Sequence, residues 1–422
     1  MSSIWRAGVR ECIKENKELM KILFVCQYFY PEVFRGNDIA FHWAEDGHSV
    51  HVVTGIPNYP DGVFHKGYGW FKKRHEEVNG VKVTRLPIIP RGNNKIMLML
   101  NYFSYLMVAW VYMVFHALSH KYDRVFVQQL SPVMMSAPGV LYKRIRKVPL
   151  YTWVLDLWPE SLTAAGGINN KYILSFFRHY VKSEYKHSDK ILISSRSFEK
   201  SVLEYGDYKD KIVYYPQWSD GVNGVFIPPE KAPSIPNGFK LMFAGAVGEA
   251  HGFECTMQAA LLTKEHKDIK WIIVGDGRKF NWVKAFIKEH GLENTVYTLG
   301  RYPSDTMSWF FDQADLMLVT LNDDPLFRMY APAKISSYMA AAKPIVAVLN
   351  GEGAEVIKEA DCGWSLPAGD AEGLAKLVVE LSQKSRKELV EKGQKAHDYY
   401  NEHFKKEKCL MKLDNLMKLY DK

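Results

Sequence analysis

Short apolar runs recur along this chain in two separate series, and that recurrence constrains the fold more than any other feature. The first series occupies residues 21–27, 49–54, 81–86, 124–128, 150–154, 190–194 and 212–215. Nearly continuous apolar runs of this length mark strands buried on both faces, as in a parallel sheet. Helix-like stretches separate most of them, so strand and helix alternate and the expected architecture is a doubly wound α/β sheet. Between 216 and 236 the pattern lapses, with Pro228, Pro229, Pro233 and Pro236 close together, as in a domain linker. A second series follows at 240–244, 269–274, 296–299, 316–320 and 344–349. Two Rossmann-like domains facing one cleft are therefore expected, with ligands beyond the carboxyl ends of the strands. The divisions are a leader over 1–19, a first lobe over 20–220, a second over 237–384, and C-terminal helices over 385–422 that cross back toward the first lobe.

Length and composition agree with two full cores: 422 residues, 47% hydrophobic and 24% charged. The five cysteines, Cys12, Cys26, Cys255, Cys362 and Cys409, form no C-x-x-C pair. Their odd number argues against a disulfide framework and for a reducing compartment. A net charge of +8 favours anionic partners without choosing among nucleic acid, lipid headgroups and phosphorylated substrates. The first twenty residues do not read as a signal peptide. Trp5, Val9 and Ile13, interleaved with Arg6, Arg10, Lys14 and Lys17, read either as a short basic amphipathic helix or as a plain leader.

Residues 96–118 are almost entirely apolar and long enough, at about 20 residues, to cross a bilayer. They lie between two runs assigned to one sheet, and a span would put those strands on opposite sides of the membrane. A core helix or a helix resting in the membrane interface remains. Arg91, Lys95, Lys143, Arg144, Arg146 and Lys147 lean the reading toward contact with anionic headgroups.

Three turns carry the candidate chemistry of the second lobe. Gly245-Ala-Val-Gly248 opens after one strand, Gly275-Asp-Gly277 after the next, and Gly300-Arg301-Tyr302 after a third. Glycines admit a phosphate close to the backbone, and a following helix start offers free N–H groups. The pattern is not G-x-G-x-x-G, so a dinucleotide is not indicated. The plain alternative is ordinary turn chemistry. Farther on, Pro332 suits a helix start and places Lys334 in the first turn, where a cation opposes the helix dipole. Lys334 either binds phosphate or bridges to Asp323 or Asp324. In the first lobe Asp156, beside Trp158 and Pro159, either orients a sugar or caps a helix. His251 is an outside candidate for a ligand contact.

Taken together, MKILFVCQYFYPE, RGNDIAF, VVTGIPNYPDG, DLWPES, YYPQW, FAGAVGEAHG and PAKISSYMAAAKP resemble family 4 glycosyltransferases. The likeness runs from Met20 to the C-terminus, and is nearest to transferases of N-acetyl-L-fucosamine or a related deoxyaminosugar in O-antigen or capsule assembly. It implies a GT-B fold and retaining, metal-independent transfer from a UDP-sugar to a polyprenyl-diphosphate-linked sugar. It also implies peripheral attachment at the cytoplasmic side of the inner membrane. No further cofactor, no metal and no nucleic-acid partner are expected. Asp156, Lys334 and Arg328 are the catalytic candidates. Gly245, Gly248, Gly275, Gly277, Arg301, Tyr302, Ser337, Glu352 and Gly353 are the donor-binding candidates. The sequence departs from the family where two glutamates usually stand: Met329 and Ser337 occupy those positions, so Ser337 is left to hold the ribose. The usual basic pair after the glycine loop is missing, and Lys334, Arg328 or Arg301 would replace it. An epimerase of UDP-N-acetyl sugars and a non-catalytic membrane scaffold are the competing readings.

Overall fold

The computed structural model describes residues 19–166, 169–219 and 227–418; the leader expected to form a basic helix lies outside them. The first sheet has eight strands in the order β3-β4-β2-β1-β5-β6-β7-β8. They are β1 (Lys21–Val25), β2 (Ser49–Gly55), β3 (His75–Val78), β4 (Val81–Leu86), β5 (Arg124–Gln129), β6 (Leu150–Val154), β7 (Lys190–Ile193) and β8 (Ile212–Tyr214). All pairings are parallel except β3 on β4. The sequence HEEV gives β3 no apolar run, which is why it was invisible to a reading based on buried strands.

The second sheet runs β11-β10-β9-β12-β13-β14 and is parallel throughout. Its strands are β9 (Phe239–Ala244), β10 (Ile269–Val274), β11 (Val296–Gly300), β12 (Leu316–Thr320), β13 (Ile345–Val348) and β14 (Gly363–Leu366).

Each central strand feeds two cores, because successive side chains leave a strand on opposite faces. In β1, Ile22 and Phe24 join Trp43 of α1 (Arg35–Glu45) on one side. Leu23 and Val25 join Tyr105, Ala109 and Met113 of α2 (Lys95–Ser119) on the other. In β9, Leu241 and Phe243 serve one core and Met242 and Ala244 the other.

α2 is the long apolar segment. It lies on the sheet along a stripe of Asn101, Tyr105, Ala109, Met113 and Ala117, at helical i, i+4 spacing. Its other face stays apolar and open to solvent, with Phe103 55% and Phe115 67% exposed. The helix therefore packs on the sheet as a surface layer, and it is long and apolar enough to cross a membrane.

The first lobe continues with α3 (Ala137–Arg146), α4 (Glu160–Gly166), α5 (Lys171–His187) and α6 (Phe198–Leu203). The second lobe holds α7 (Phe253–Leu262), α8 (Phe280–Glu289), α9 (Met307–Asp312), α10 (Ala333–Ala340), α11 (Glu352–Glu359) and α12 (Ala371–Gln383). Two helices close the described chain, α13 (Arg386–His403) and α14 (Lys406–Lys418). They divide between the lobes. Ala396, Tyr399 and Tyr400 of α13 stay in a second-lobe core, whereas Leu410, Leu413 and Met417 of α14 enter the first-lobe core with Ile22 and Phe24. The crossing falls between the two helices. Cys26, Cys255, Cys362 and Cys409 are free thiols buried in these cores.

Leu413 is fully buried. Leu413→Ala is expected to lower stability by about 2–5 kcal/mol, read as the shift in a urea unfolding curve. A shift below about 0.5 kcal/mol, the size ordinary for a surface site, would mean that α14 does not dock on the first lobe in solution.

Candidate active site between the lobes

Strand order brings the three glycine turns together. β9, β10 and β11 are neighbours, so the turns after them share one edge of the sheet. Backbone hydrogen bonds join them: Gly245 N–H donates to Val274 O (2.9 Å), Val247 N–H to Asp276 O (3.0 Å) and Gly275 N–H to Gly300 O (2.8 Å). Gly275 sits at φ 142°, and a Cβ there would overlap the carbonyl oxygen of Gly245. Only glycine permits this approach. A cleft of about 870 Å³ opens over the joined turns, lined by Gly245, Gly275, Gly277, Arg301 and Tyr302 among others. That volume suits a ligand of nucleotide-sugar size. Tyr302 stands against Phe310, with ring centroids 4.7 Å apart.

Lys334 enters the first turn of α10, after Pro332. Its Nζ is buried with no hydrogen-bond partner among the described residues and lies 3.9 Å from the centroid of the Phe243 ring. A Cβ on Gly245 would stand 3.2 Å from that Nζ, so turn and ammonium are in contact. Burial pushes the Lys334 pKa down to about 7. His251 belongs to the same cluster. Its Nδ1 is also buried without a partner, 3.4 Å from a Cβ built on Gly248. Burial, and then the charge on Lys334, push its pKa down to about 4. Gly245, Gly248, His251 and Lys334 thus converge on one spot where, among the described residues, no carboxylate pairs with the ammonium. Leaving an ammonium unpaired out of water is costly, and an incoming anion relieves that cost.

Other candidates fall elsewhere. Arg328 is exposed and holds Asp323 through two bonds of 2.7 Å, from Nε and Nη2. Asp323 also accepts from Asn350 Nδ2 (3.0 Å), and these bonds keep its carboxyl pKa down at about 2. Of the two acidic partners the sequence offered Lys334, Asp323 is therefore taken by Arg328, and Asp324 Oδ1 accepts from Leu326 N–H (2.8 Å). Ser337 lies at the lobe junction, its Oγ 3.2 Å from Ser219 Oγ.

Glu352 faces the first lobe. Its Oε2 accepts from Ser197 N–H (3.1 Å) and Ser197 Oγ (2.6 Å), and Oε1 from Arg196 N–H (3.3 Å). Both oxygens thus bond to the first lobe at the start of α6, and Glu352 ties the lobes together. Gly353 likewise packs on Leu349 and Pro332, where a Cβ would come within 2.9 Å and 3.1 Å. Its role is close packing at the start of α11.

Asp156 follows β6 at the lobe junction. Burial pushes its carboxyl pKa up, partly offset by hydrogen bonds from Ser131. The next residue, Leu157, donates its N–H to the Tyr330 hydroxyl of the second lobe (3.1 Å), and Ser195 Oγ donates to Met329 O (2.6 Å). The segment that leads into Lys334 therefore rests on the box that holds Asp156. Sequence reasoning missed Tyr330 and Arg196. Tyr330 had one available signal, its place between Arg328 and Pro332; Arg196 had none.

Comparison with known proteins follows the same division. The family model described as "Glycosyl transferases group 1" matches residues 238–384, the second lobe. The chain is 31% identical over 248 residues to the probable glycosyltransferase WbjE of Pseudomonas aeruginosa, covering 55% of this chain and 60% of that protein. The match thus spans about three fifths of that relative's length. Anabaena HepE, solved in complex with UDP and glucose, superposes with a TM-score of 0.63 at 15% identity, covering 95% of this chain and 100% of HepE. WaaG, a glycosyltransferase involved in lipopolysaccharide biosynthesis, superposes at 0.60 with 15% identity, covering 92% and 98%. Two Rossmann-like lobes about a cleft, shared with such neighbours, make the fold GT-B.

Gly275→Ala is expected to cost at least about 2 kcal/mol through overlap and backbone strain. Gly300→Ala meets nothing within 4 Å and keeps only the strain of φ 81°. It should cost about 1 kcal/mol. Equal losses in chemical unfolding would show that the turns are not joined as described.

Proposed function

We propose that the chain is a glycosyltransferase that takes a sugar from a UDP-sugar and passes it to a lipid-linked acceptor in polysaccharide assembly. The observation that carries this is Lys334: a buried, unpaired ammonium against the glycine turn of a cleft large enough for a nucleotide sugar. The family match over the same lobe and the name of the WbjE relative support it. HepE, bound to UDP and glucose, supports the choice of donor.

In this reading the donor diphosphate lies over Gly245 and Gly248. Lys334 faces the charge that grows on the leaving group, where a fixed cation stabilises a transition state most. Transfer is metal-independent and retaining, with neutralisation assigned to Lys334 and the departing diphosphate taking the acceptor's proton. Asp156 orients a sugar hydroxyl from the opposite lobe. The finer choice of sugar, a deoxyaminosugar such as N-acetyl-L-fucosamine, rests on the sequence resemblance alone.

The acceptor is read as membrane-borne because of α2. Ile96, Met99, Phe103, Met107, Phe115 and Leu118 leave an apolar face open. Tyr172 and Phe176 of α5 are exposed too, and Leu106 of α2 packs in the same cluster as Phe177 of α5. With Lys95, Arg144 and Lys147 nearby in sequence, this is the pattern of a helix that rests in a headgroup layer. The expected site of action is the cytoplasmic side of the inner membrane. A soluble epimerase would have no use for such a face.

Two measurements test the donor site. A panel of UDP-sugars should raise the melting temperature, with the true donor raising it most. Lys334→Met should abolish that rise while leaving the unliganded protein as stable or more so, since it removes a buried unpaired charge. A variant that still responds to every UDP-sugar sinks the assignment.

The second measurement is of protons. Lys334 has a folded pKa of about 7, lowered from its ordinary 10.5. Between those values the folded protein binds fewer protons than the unfolded chain, so stability rises with pH, and the burial penalty is fully present below 7. A diphosphate restores the charged form, so UDP binding at pH 8 should take up protons. Calorimetry in buffers of different ionisation enthalpy reads that uptake, which Lys334→Met should lose.

A further inference from the structure

Arg91 follows β4 and precedes α2, whose N-cap is Asn94. Its guanidinium is half-buried, yet every side-chain group that the structure gives it is a tyrosine. Nη1 donates to the Tyr28 hydroxyl (3.1 Å), and the guanidinium carbon lies 5.4 Å from the Tyr59 ring centroid and 6.0 Å from that of Tyr102. None of these partners is a carboxylate. The residue is locked in place, because its backbone N–H donates to Asn58 Oδ1 (2.9 Å). A held, partly desolvated guanidinium with no carboxylate partner among the described residues suits a phosphate group.

Its surroundings narrow the ligand. Tyr28 follows β1, Tyr59 follows β2 and Asp156 follows β6, so the collar belongs to the same carboxyl edge of the sheet as Asp156. Tyr102, from the first turns of α2, adds the third ring of the collar. In the other direction α2 runs away from the collar with Met99, Phe103 and Met107 exposed at i, i+4 spacing. An apolar track, a guanidinium and a carboxylate therefore follow one another. That order matches an amphiphile made of a hydrocarbon, an anionic linker and a sugar.

We propose that Arg91 and its tyrosine collar receive the diphosphate of a lipid-linked acceptor, where the membrane-facing helix meets the cleft. The proposal rests on the reading of the chain as a transferase with a lipid-borne acceptor. Arg91 is a positioning residue: it holds the acceptor's linker so that the sugar reaches Asp156, and it touches no reacting atom.

The test uses the full chain in neutral detergent with farnesyl diphosphate and farnesol as probes, and UDP as a separate ligand. Farnesyl diphosphate should bind at least tenfold more tightly than farnesol. Arg91→Ala should remove that advantage while leaving farnesol and UDP binding unchanged. Arg91→Lys, which keeps the charge and loses the fork, should fall between. Lys121→Ala, an exposed cation removed at the far end of α2, should match the parent protein. The proposal is overturned if Arg91→Ala binds farnesyl diphosphate like the parent, if Lys121→Ala weakens it equally, or if the parent prefers farnesol. Should Arg91→Ala melt early, Arg91→Lys decides: binding equal to the parent with unchanged salt dependence leaves no diphosphate contact there. Loss of UDP binding in the parent would instead strike the donor assignment. A parent that binds UDP but not farnesyl diphosphate defeats only the acceptor proposal.

Discussion

An ammonium held out of water without an anion is a standing cost, and the site is organised around one. Lys334 reaches its position because Pro332 starts α10 there and because Gly245 has no side chain to fill the space. Phe243 provides the face of a ring and His251 a nitrogen whose pKa is held down to about 4. Neither is an anion. The fold tolerates this because the remainder of the lobe is a continuous parallel sheet with two well-filled cores. Stability gained across those cores offsets the local penalty.

The second constraint is the relation of the lobes. Several contacts among the described residues cross between them. Glu352 accepts from the start of α6, Tyr330 accepts from Leu157 N–H, and the chain itself returns through α14. Arg196 adds bonds to Glu359 (2.5 Å) and to the Tyr399 hydroxyl (2.8 Å), so α11 and α13 meet the first lobe at one place. These contacts lie beside the segment that carries Lys334. The geometry that aims Asp156 and the geometry that aims Lys334 are therefore set by the same junction. Catalysis by positioning depends on such shared supports, since small displacements of either group are costly.

The first lobe carries an apolar surface as well as an apolar core. One face of α2 supplies core residues and the other exposes apolar ones, so the helix has no polar side of any width. Asn101 at its cleft end is fully buried, donating to Ile89 O (2.6 Å) and accepting from Gln27 Nε2 (2.8 Å). Those bonds tie a helix built for an apolar surface to the loops that frame the cleft.

Chain order and periodicity were enough to read most of both sheets, the linker and the three glycine turns, because buried parallel strands leave a continuous apolar signature and turn glycines leave gaps in it. β3 and β14 escaped because edge strands bury little, and neither HEEV nor GWSL carries such a signature. Lys334 could be picked out from helix position alone, since its conflict with the dipole is local. Whether Lys334 or Arg328 took Asp323 could not be read, because pairing depends on distances across the short 3-10 turn at Phe327–Met329. The bonds of Glu352 were hidden for the same reason: its partners Arg196 and Ser197 are remote in sequence. Arg91 and its three tyrosines come from four separate loops and helices, and only the folded sheet edge assembles them. The sequence by itself determined which segments are buried strands and where glycine must stand, since those follow from local sterics and burial. Tertiary structure alone decided which charges are matched and which are left waiting, because electrostatic pairing is set by distance in space.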